Sequence, residues 1–263
     1  MSILYIFVTT NRPDQYLNSI VDQVEKGTRK IVFTQIEDER IETVEKVKLN
    51  LLQANVYSLL QNLSTGVYKY YTGSLKDQEV QLEAKYSNND LAKLKARYSL
   101  CLKDDINWQV ESVKYLNLRN YISNIAKKQC IIDVTSVSKV YLTDIISCSL
   151  LENIDNICVF DLYIKPNFDE PWKILIHELE ENKTYRYKNL LETPIFKDSR
   201  KSILIRRPPL FFSLIITFLC IVITLIGTSL FGFNSMFVKT LSTIGTVLGI
   251  ISFFLIYFPV RGK

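Results

Sequence analysis

Two short stretches hold the side chains whose types and spacing could do chemistry. One is Thr9-Thr10-Asn11-Arg12, and the other is Asp133-Val134-Thr135-Ser136-Val137-Ser138-Lys139. Each follows a run of apolar β-formers, Ile3 to Val8 and Cys130 to Val134, and each precedes a helical pattern. The first N–H groups of a helix lack partners inside it, and its dipole favours an anion there. Hydroxyls beside such N–H groups can therefore hold a phosphate. Thr9, Thr10, Thr135 and Ser136 are of that type, the Asn11 amide can donate likewise, and Lys139 adds a point charge. Asp133 can orient a ribose hydroxyl or a neighbouring backbone N–H. Plain capping explains the same residues: Thr135 or Ser136 caps the helix, Lys139 is solvated and Asp133 closes the strand.

Other chemistries find less to work with. No GxGxxG and no GxxxxGK[ST] occurs, so dinucleotide and P-loop readings lose support. The single histidine, His177, makes His-based metal clusters and Ser-His-Asp catalysis poor expectations. It lies in ILIHEL, read as a strand in which the histidine is a surface or hydrogen-bonded core residue. Trp172 reads as packing, and Glu178, Glu180 and Glu181 as a solvated turn. Five cysteines, Cys101, Cys130, Cys148, Cys158 and Cys220, show no CxxC spacing and read as reduced core residues. No metal and no cofactor is expected. From residue 209 on, the charged residues are Lys239, Arg261 and Lys263, which leaves 29 cations against 27 anions before it. That near-neutral balance argues against binding long nucleic acid and leaves room for a small anionic ligand.

The elements that must position these residues read as α/β. Ile3 to Val8 is apolar throughout, the pattern of a strand covered on both faces. Pro13 and Asp14 open a helix to Glu25 that Gly27 ends, and Ile31 to Ile36 is a second strand. That β-α-β unit implies a right-handed crossover and a Rossmann-like, mostly parallel sheet with flanking helices. Glu39 to about Leu63 reads as a helix capped by Gly66, Val67 to Tyr71 as a strand, and Trp108 to Lys128 as a helix. Residues 75–105 are ambiguous. After Cys130 to Val134, a helix runs to about Leu151 with Val140, Ile145, Ile146 and Leu150 inward, and Ile157 to Ile164 is a further strand. Trp172 to Leu179 and Thr184 to Leu190 read as an antiparallel hairpin.

The C-terminal end reads differently. Leu210 to Phe231 and Leu241 to Val260 are two uncharged runs, each long enough to cross a hydrocarbon core of about 30 Å at about 1.5 Å per residue. The expectation is a two-helix transmembrane hairpin over 210–260, a linker over 194–209 and a cytosolic domain over 1–193. Arg200, Lys201, Arg206 and Arg207 before the runs, with Arg261 and Lys263 after them, place both termini in the cytoplasm of a multi-pass inner-membrane protein. Ser242, Gly245, Gly249 and Ser252 share one helix face and include GxxxG, a packing seam within the hairpin or between hairpins.

The second stretch fits D-x-[ST]-x-x-x-K through Asp133, Thr135 and Lys139, and here the chain resembles the CARF domains, the CRISPR-associated Rossmann-fold sensors. The resemblance covers residues 1 to about 165. It implies that the loop after the first strand, Thr9, Thr10 and Asn11, lines the ligand site. It also implies a homodimer or higher homo-oligomer that binds cyclic oligoadenylate or a related cyclic nucleotide and switches an attached effector. Family members often carry glycines after the Thr, where this chain has Ser136 and Val137. The expected function is a membrane effector of an antiviral defence system, not an enzyme, with the bilayer as its target. The alternatives are a membrane-anchored nucleotide hydrolase or nuclease, and a ligand-free membrane adaptor.

Overall fold

In the computed structural model, residues 2–39, 47–71, 73, 75–126, 130–152, 154–165, 170–194, 196, 207–232, 235, 236, 239, 240, 243–247 and 249 are described. In chain order the first elements are β1 (Ile3–Val8), α1 (Asp14–Glu25), β2 (Lys30–Glu37), α2 (Leu49–Thr65), β3 (Val67–Lys69) and β4 (Glu79–Gln81). Then come α3 (Asn88–Ser99), β5 (Asn107–Lys114), α4 (Leu118–Ala126), β6 (Cys130–Asp133), α5 (Lys139–Leu151), β7 (Ile157–Leu162), β8 (Tyr185–Asn189) and α6 (Arg207–Phe231).

β1 is apolar at every position because both its faces are covered. Leu4, Ile6 and Val8 join α1 and α2 in one core, with Tyr16, Leu17, Ile20, Val56 and Leu60. Tyr5 and Phe7 point the other way and meet the edge of Tyr121 from α4, each with ring centres 6.3 Å apart. α5 lies against α4 on that side. Each large apolar side chain buried this way contributes about 1.5–3 kcal/mol.

The main sheet has six strands in the order β5-β2-β1-β6-β7-β8. The first five run parallel, and β8 is antiparallel to β7. The chain therefore begins at the centre, builds outward through β2 to β5, and then crosses back to place β6 on the free side of β1. The Rossmann-like, mostly parallel sheet is thus present, with its order reversing between β1 and β6.

Several expectations need correction. Asn107–Lys114 is a strand, not the start of a helix, and it pairs with β2 along its whole length. Its side chains are nearly all half-buried or exposed, so its edge position hides the signal of a central strand. Residues 67–81 do not extend the main sheet; β3 and β4 form a separate antiparallel pair. The expected hairpin is absent. Only Tyr185–Asn189 is a strand, and its partner is β7. Pro171–Ile174 is a 3-10 helix, and Trp172, Leu175, Ile176 and Leu179 are buried at helix-like spacings. Asn18 holds this segment on α1, donating to Ile174 O at 2.9 Å and accepting from Ile176 N at 2.8 Å. In α5 the buried residues are Tyr141, Ile145 and Ser149, while Val140 is 54% exposed. α5 is apolar on more than one face, so periodicity alone picks the wrong stripe. The early part of the expected second helix, 40–46, lies outside the described residues.

The chain divides into two compact units, Met1–Thr193 and Pro194–Lys263. In the second, α6 is the long element. Among the described residues no helix is long and apolar enough to cross a membrane. This overturns the transmembrane hairpin, and with it the multi-pass inner-membrane placement with cytoplasmic termini and the bilayer as target. The second run is described only at 243–247 and 249, of which Thr243, Gly245, Thr246 and Gly249 are hydroxyl or glycine positions. Among the described residues, a Cβ added at Gly245 or Gly249 would meet nothing within 4 Å. Ser242 and Ser252 lie outside the described residues.

Gly66 ends α2 in the left-handed region at φ 90°, and a Cβ there would come within 2.6 Å of the Lys95 side chain. Gly66→Ala is expected to lower unfolding stability by about 1–2 kcal/mol, since a non-glycine residue pays that cost in this region. A urea unfolding midpoint reads the loss.

Candidate ligand-binding site

The register of the central strands brings the two polar stretches together. Ile6 is level with Asp133 across the β1–β6 pair. Three residues further along each chain stand Thr9 and Ser136. The Thr9 hydroxyl donates to Ser136 O at 2.5 Å and accepts from Ser138 N at 3.1 Å. One threonine therefore laces the loop after β1 to the loop after β6. In open α/β sheets, ligands bind beyond the carboxyl ends of the strands at the point where the order reverses. The lacing lies at that point.

The β1 loop is fixed by a residue that sequence reasoning missed. Tyr16, buried in α1, donates its hydroxyl to Thr10 O at 2.7 Å and accepts from Thr10 N at 3.3 Å. Burial pushes its phenol well above the usual range, so it stays protonated as a donor. The Thr10 hydroxyl accepts from Arg12 N at 3.3 Å, and Asn11 Oδ1 accepts from Lys48 N at 3.2 Å. The Arg12 guanidinium pairs with Asp14 at 3.1 Å, and its Nε is buried without a hydrogen bond among the described residues. This places a cation at the same tip.

In the β6 loop the residues divide by role. Asp133 is 1% exposed. Its Oδ1 accepts from Thr135 N at 2.9 Å, and its Oδ2 accepts from the Tyr187 hydroxyl at 2.7 Å. Burial, its largest influence, raises its pKa above the usual carboxylate value, against the opposing hydrogen bonds of Tyr187, Ser19 and Thr135. Thr135 Oγ1 accepts from Phe160 N at 2.8 Å and lies 3.5 Å from the Ser19 hydroxyl. Asp133 and Thr135 thus face inward and set the loop's shape. Ser136 is half-buried and Lys139 is exposed. Lys139 is the first residue of α5, because Ser138 in extended backbone (φ −57°, ψ 141°) is the cap. The Ser138 side chain makes no capping bond; Tyr141 N and Leu142 N donate to Ser138 O at 3.0 and 3.1 Å, which leaves the N–H groups of Lys139 and Val140 at the start of α5. Tyr187 and Ser19 come from β8 and α1, and no spacing in the sequence connects either to Asp133.

The remaining candidates are accounted for structurally. His177 Nδ1 and Nε2 lie 2.7 Å from the Tyr98 hydroxyl and 3.2 Å from the Tyr86 hydroxyl, with the ring edge-on to both. Burial, aided by Arg97, pushes its pKa down to about 3, so it is neutral at ordinary pH. Trp172 is core. Cys101, Cys130 and Cys158 are buried and in no disulfide, and burial pushes Cys101 and Cys158 up to about 12. Among the described residues, no group of three or more His, Cys, Asp or Glu side chains could hold a metal ion. A cavity of about 340 Å³ opens beside the lacing, at the ends of β2 and β5, and shares none of the β6-loop residues.

No family model matches the chain, and no curated protein matches it. The solved structure of Enterococcus italicus Csm6 bound to cyclic hexa-2'-fluoro-hexa-dAMP is similar over 98% of this chain at 9% identity, with a TM-score of 0.37. The chain spans 56% of the length of that one.

Asp133 gives a pH test with a defined sign. A carboxyl whose folded pKa is raised stabilises the fold fully below its unfolded value, and that contribution is lost as pH rises through the folded value. The unfolding free energy of the wild type relative to Asp133→Asn is therefore expected to fall as pH rises from about 4, the ordinary carboxylate value, upward. Parallel urea titrations across that range measure it, and a difference that rises with pH contradicts the burial argument.

Proposed function

We propose that the first unit is a CARF-type sensor of an antiviral defence system, and that it binds a cyclic oligoadenylate or related cyclic nucleotide at the reversal between β1 and β6. The observation that carries this reading is the Thr9 lacing of two hydroxyl-bearing loops beneath the open N-terminus of α5. That geometry suits a phosphodiester. Backbone N–H groups of the first turn of α5, the Ser136 hydroxyl and the cations Arg12 and Lys139 are of the right chemistry for a bridging phosphate. Thr10 and Asn11 form the facing wall. Asp133 and Thr135 act as positioning residues, since their polar atoms are spent on Tyr187, on Phe160 N and on the loop itself.

A cyclic ligand with several phosphates suits a site repeated by two-fold symmetry, so the reading includes a homodimer with the β1 and β6 loops of both copies around one ligand. Binding is read as the unit's role, without turnover. The one histidine is held neutral between two tyrosines, and the Asp133 carboxylate is occupied by the Tyr187 hydroxyl and Thr135 N. The likeness to Csm6 adds no weight at its TM-score.

Calorimetric titration of the full chain against cyclic oligoadenylates of several ring sizes tests the reading. The wild type is expected to bind one of them with one ligand per two chains. Lys139→Ala leaves the fold intact because the side chain is exposed. It is expected to weaken binding on the order of tenfold or more, the cost of losing a charge-assisted contact. No binding to any ring size overturns the reading.

A further inference from the structure

Helix α2 carries no charge. Charged residues make up 22% of the chain, yet none occurs among the 17 residues from Leu49 to Thr65. Leu52, Val56, Leu59, Leu60 and Leu63 are buried and fix one side of the helix on the core. The opposite side of such a helix ordinarily shows charges to water. Here it shows Asn50, Ala54, Tyr57 and Gln61, whose spacing sets them on one face. All four are exposed, Tyr57 by 42%.

The same face borders a groove of about 450 Å³ whose far wall is Trp108 of β5. Tyr57 stands edge-on to Trp108 with ring centres 6.2 Å apart, and Trp108 stacks on the buried Phe33 at 6.1 Å. The groove wall is thereby tied to the core, so little ordering is needed when something docks there. Absence of charge together with exposed aromatic rings is the composition of the centre of a protein–protein interface.

The face fits a copy of itself. A partner recognised through charge would find no counter-charge on α2. The pairs Asn50 with Gln61 and Ala54 with Tyr57 share one midpoint along the helix. A two-fold axis at that midpoint runs two copies of α2 antiparallel and sets residue against residue in both directions, as a self-complementary contact requires. It places the large Tyr57 of each copy over the small Ala54 of the other. It also places the Asn50 amide beside the Gln61 amide, and each amide holds both donors and an acceptor. We infer that α2 is a homotypic interface, pairing antiparallel with α2 of a second copy about an axis between Ala54 and Tyr57. The inference does not depend on the proposed ligand, and the contact is separate from a dimer made through the β1 and β6 loops.

Sedimentation of the full chain without nucleotide reads the contact. The wild type is expected at about twice the mass of Ala54→Arg, whose longer side chain fills the seat of Tyr57. Asn50→Glu combined with Gln61→Glu sets carboxylate against carboxylate, and Asn50→Lys combined with Gln61→Lys sets ammonium against ammonium. Each double variant alone is expected at the lower mass, since like charges facing each other oppose association. An equimolar mixture of the two is expected to regain the wild-type mass, because Glu then faces Lys. These positions are exposed, so the fold is expected to persist, and circular dichroism checks it. One mass for the wild type and every variant overturns the inference. A mixture that stays at the lower mass shows that α2 meets some surface other than α2, and overturns the homotypic pairing. With no nucleotide present, failure of the ligand reading leaves this result standing, and the reverse holds for the calorimetric titration.

Discussion

The parallel pairing of β1 with β6 is the constraint on which the rest depends. Its register sets Ile6 against Asp133, which brings Thr9 level with Ser136 and allows one hydroxyl to bridge two loops 127 residues apart in the chain. A slip of one residue would turn Asp133 out of the interior and remove its bonds to Tyr187 and Thr135. The register is held because both strands are buried and their apolar residues must alternate between two covered faces. Packing of Leu4 and Ile6 on one side, and of Tyr5 and Phe7 on the other, thus determines where the polar chemistry ends up.

Around that pair, support comes from residues distant in sequence. Tyr16 pins the β1 loop from α1, and Tyr187 pins Asp133 from β8. Arg97 on α3 forks onto Glu25 of α1 and donates to Ile176 O at 2.7 Å, which holds α3 and the segment before β8 against the same helix. The site is therefore built on a preorganised frame. The inward-facing Asp133 and Thr135 hold the loop on which Ser136 and Lys139 stand, and Tyr16 holds the one that carries Thr10.

Much of this was legible in the residues, for physical reasons. β1, α1 and β2 are told by apolar continuity, by Pro13 and by Gly27. Asp133 to Lys139 stands out as a polar run between a buried strand and a helix. What was not legible follows from context. β5 lies at an edge and is half-buried, so its pattern blends into the helix after it. The segment from Trp172 to Leu179 looks alternating, yet it is wound into 3-10 and turn structure because Asn18 captures Ile174 and Ile176. Asp133 and Thr135 carry ligand-like chemistry in the sequence, but their partners on α1, β7 and β8 turn them inward. The apolar letters of the C-terminal runs suggested membrane spans; the described helices do not form one.

Hydrogen-exchange of backbone amides with and without cyclic oligoadenylate tests the central claim most directly. The account predicts slowed exchange in residues 9–12 and 136–142 when ligand is added, with the distant β3–β4 pair unchanged. Protection confined to other parts of the chain, with these two loops exchanging as before, would contradict a ligand site at the β1–β6 reversal.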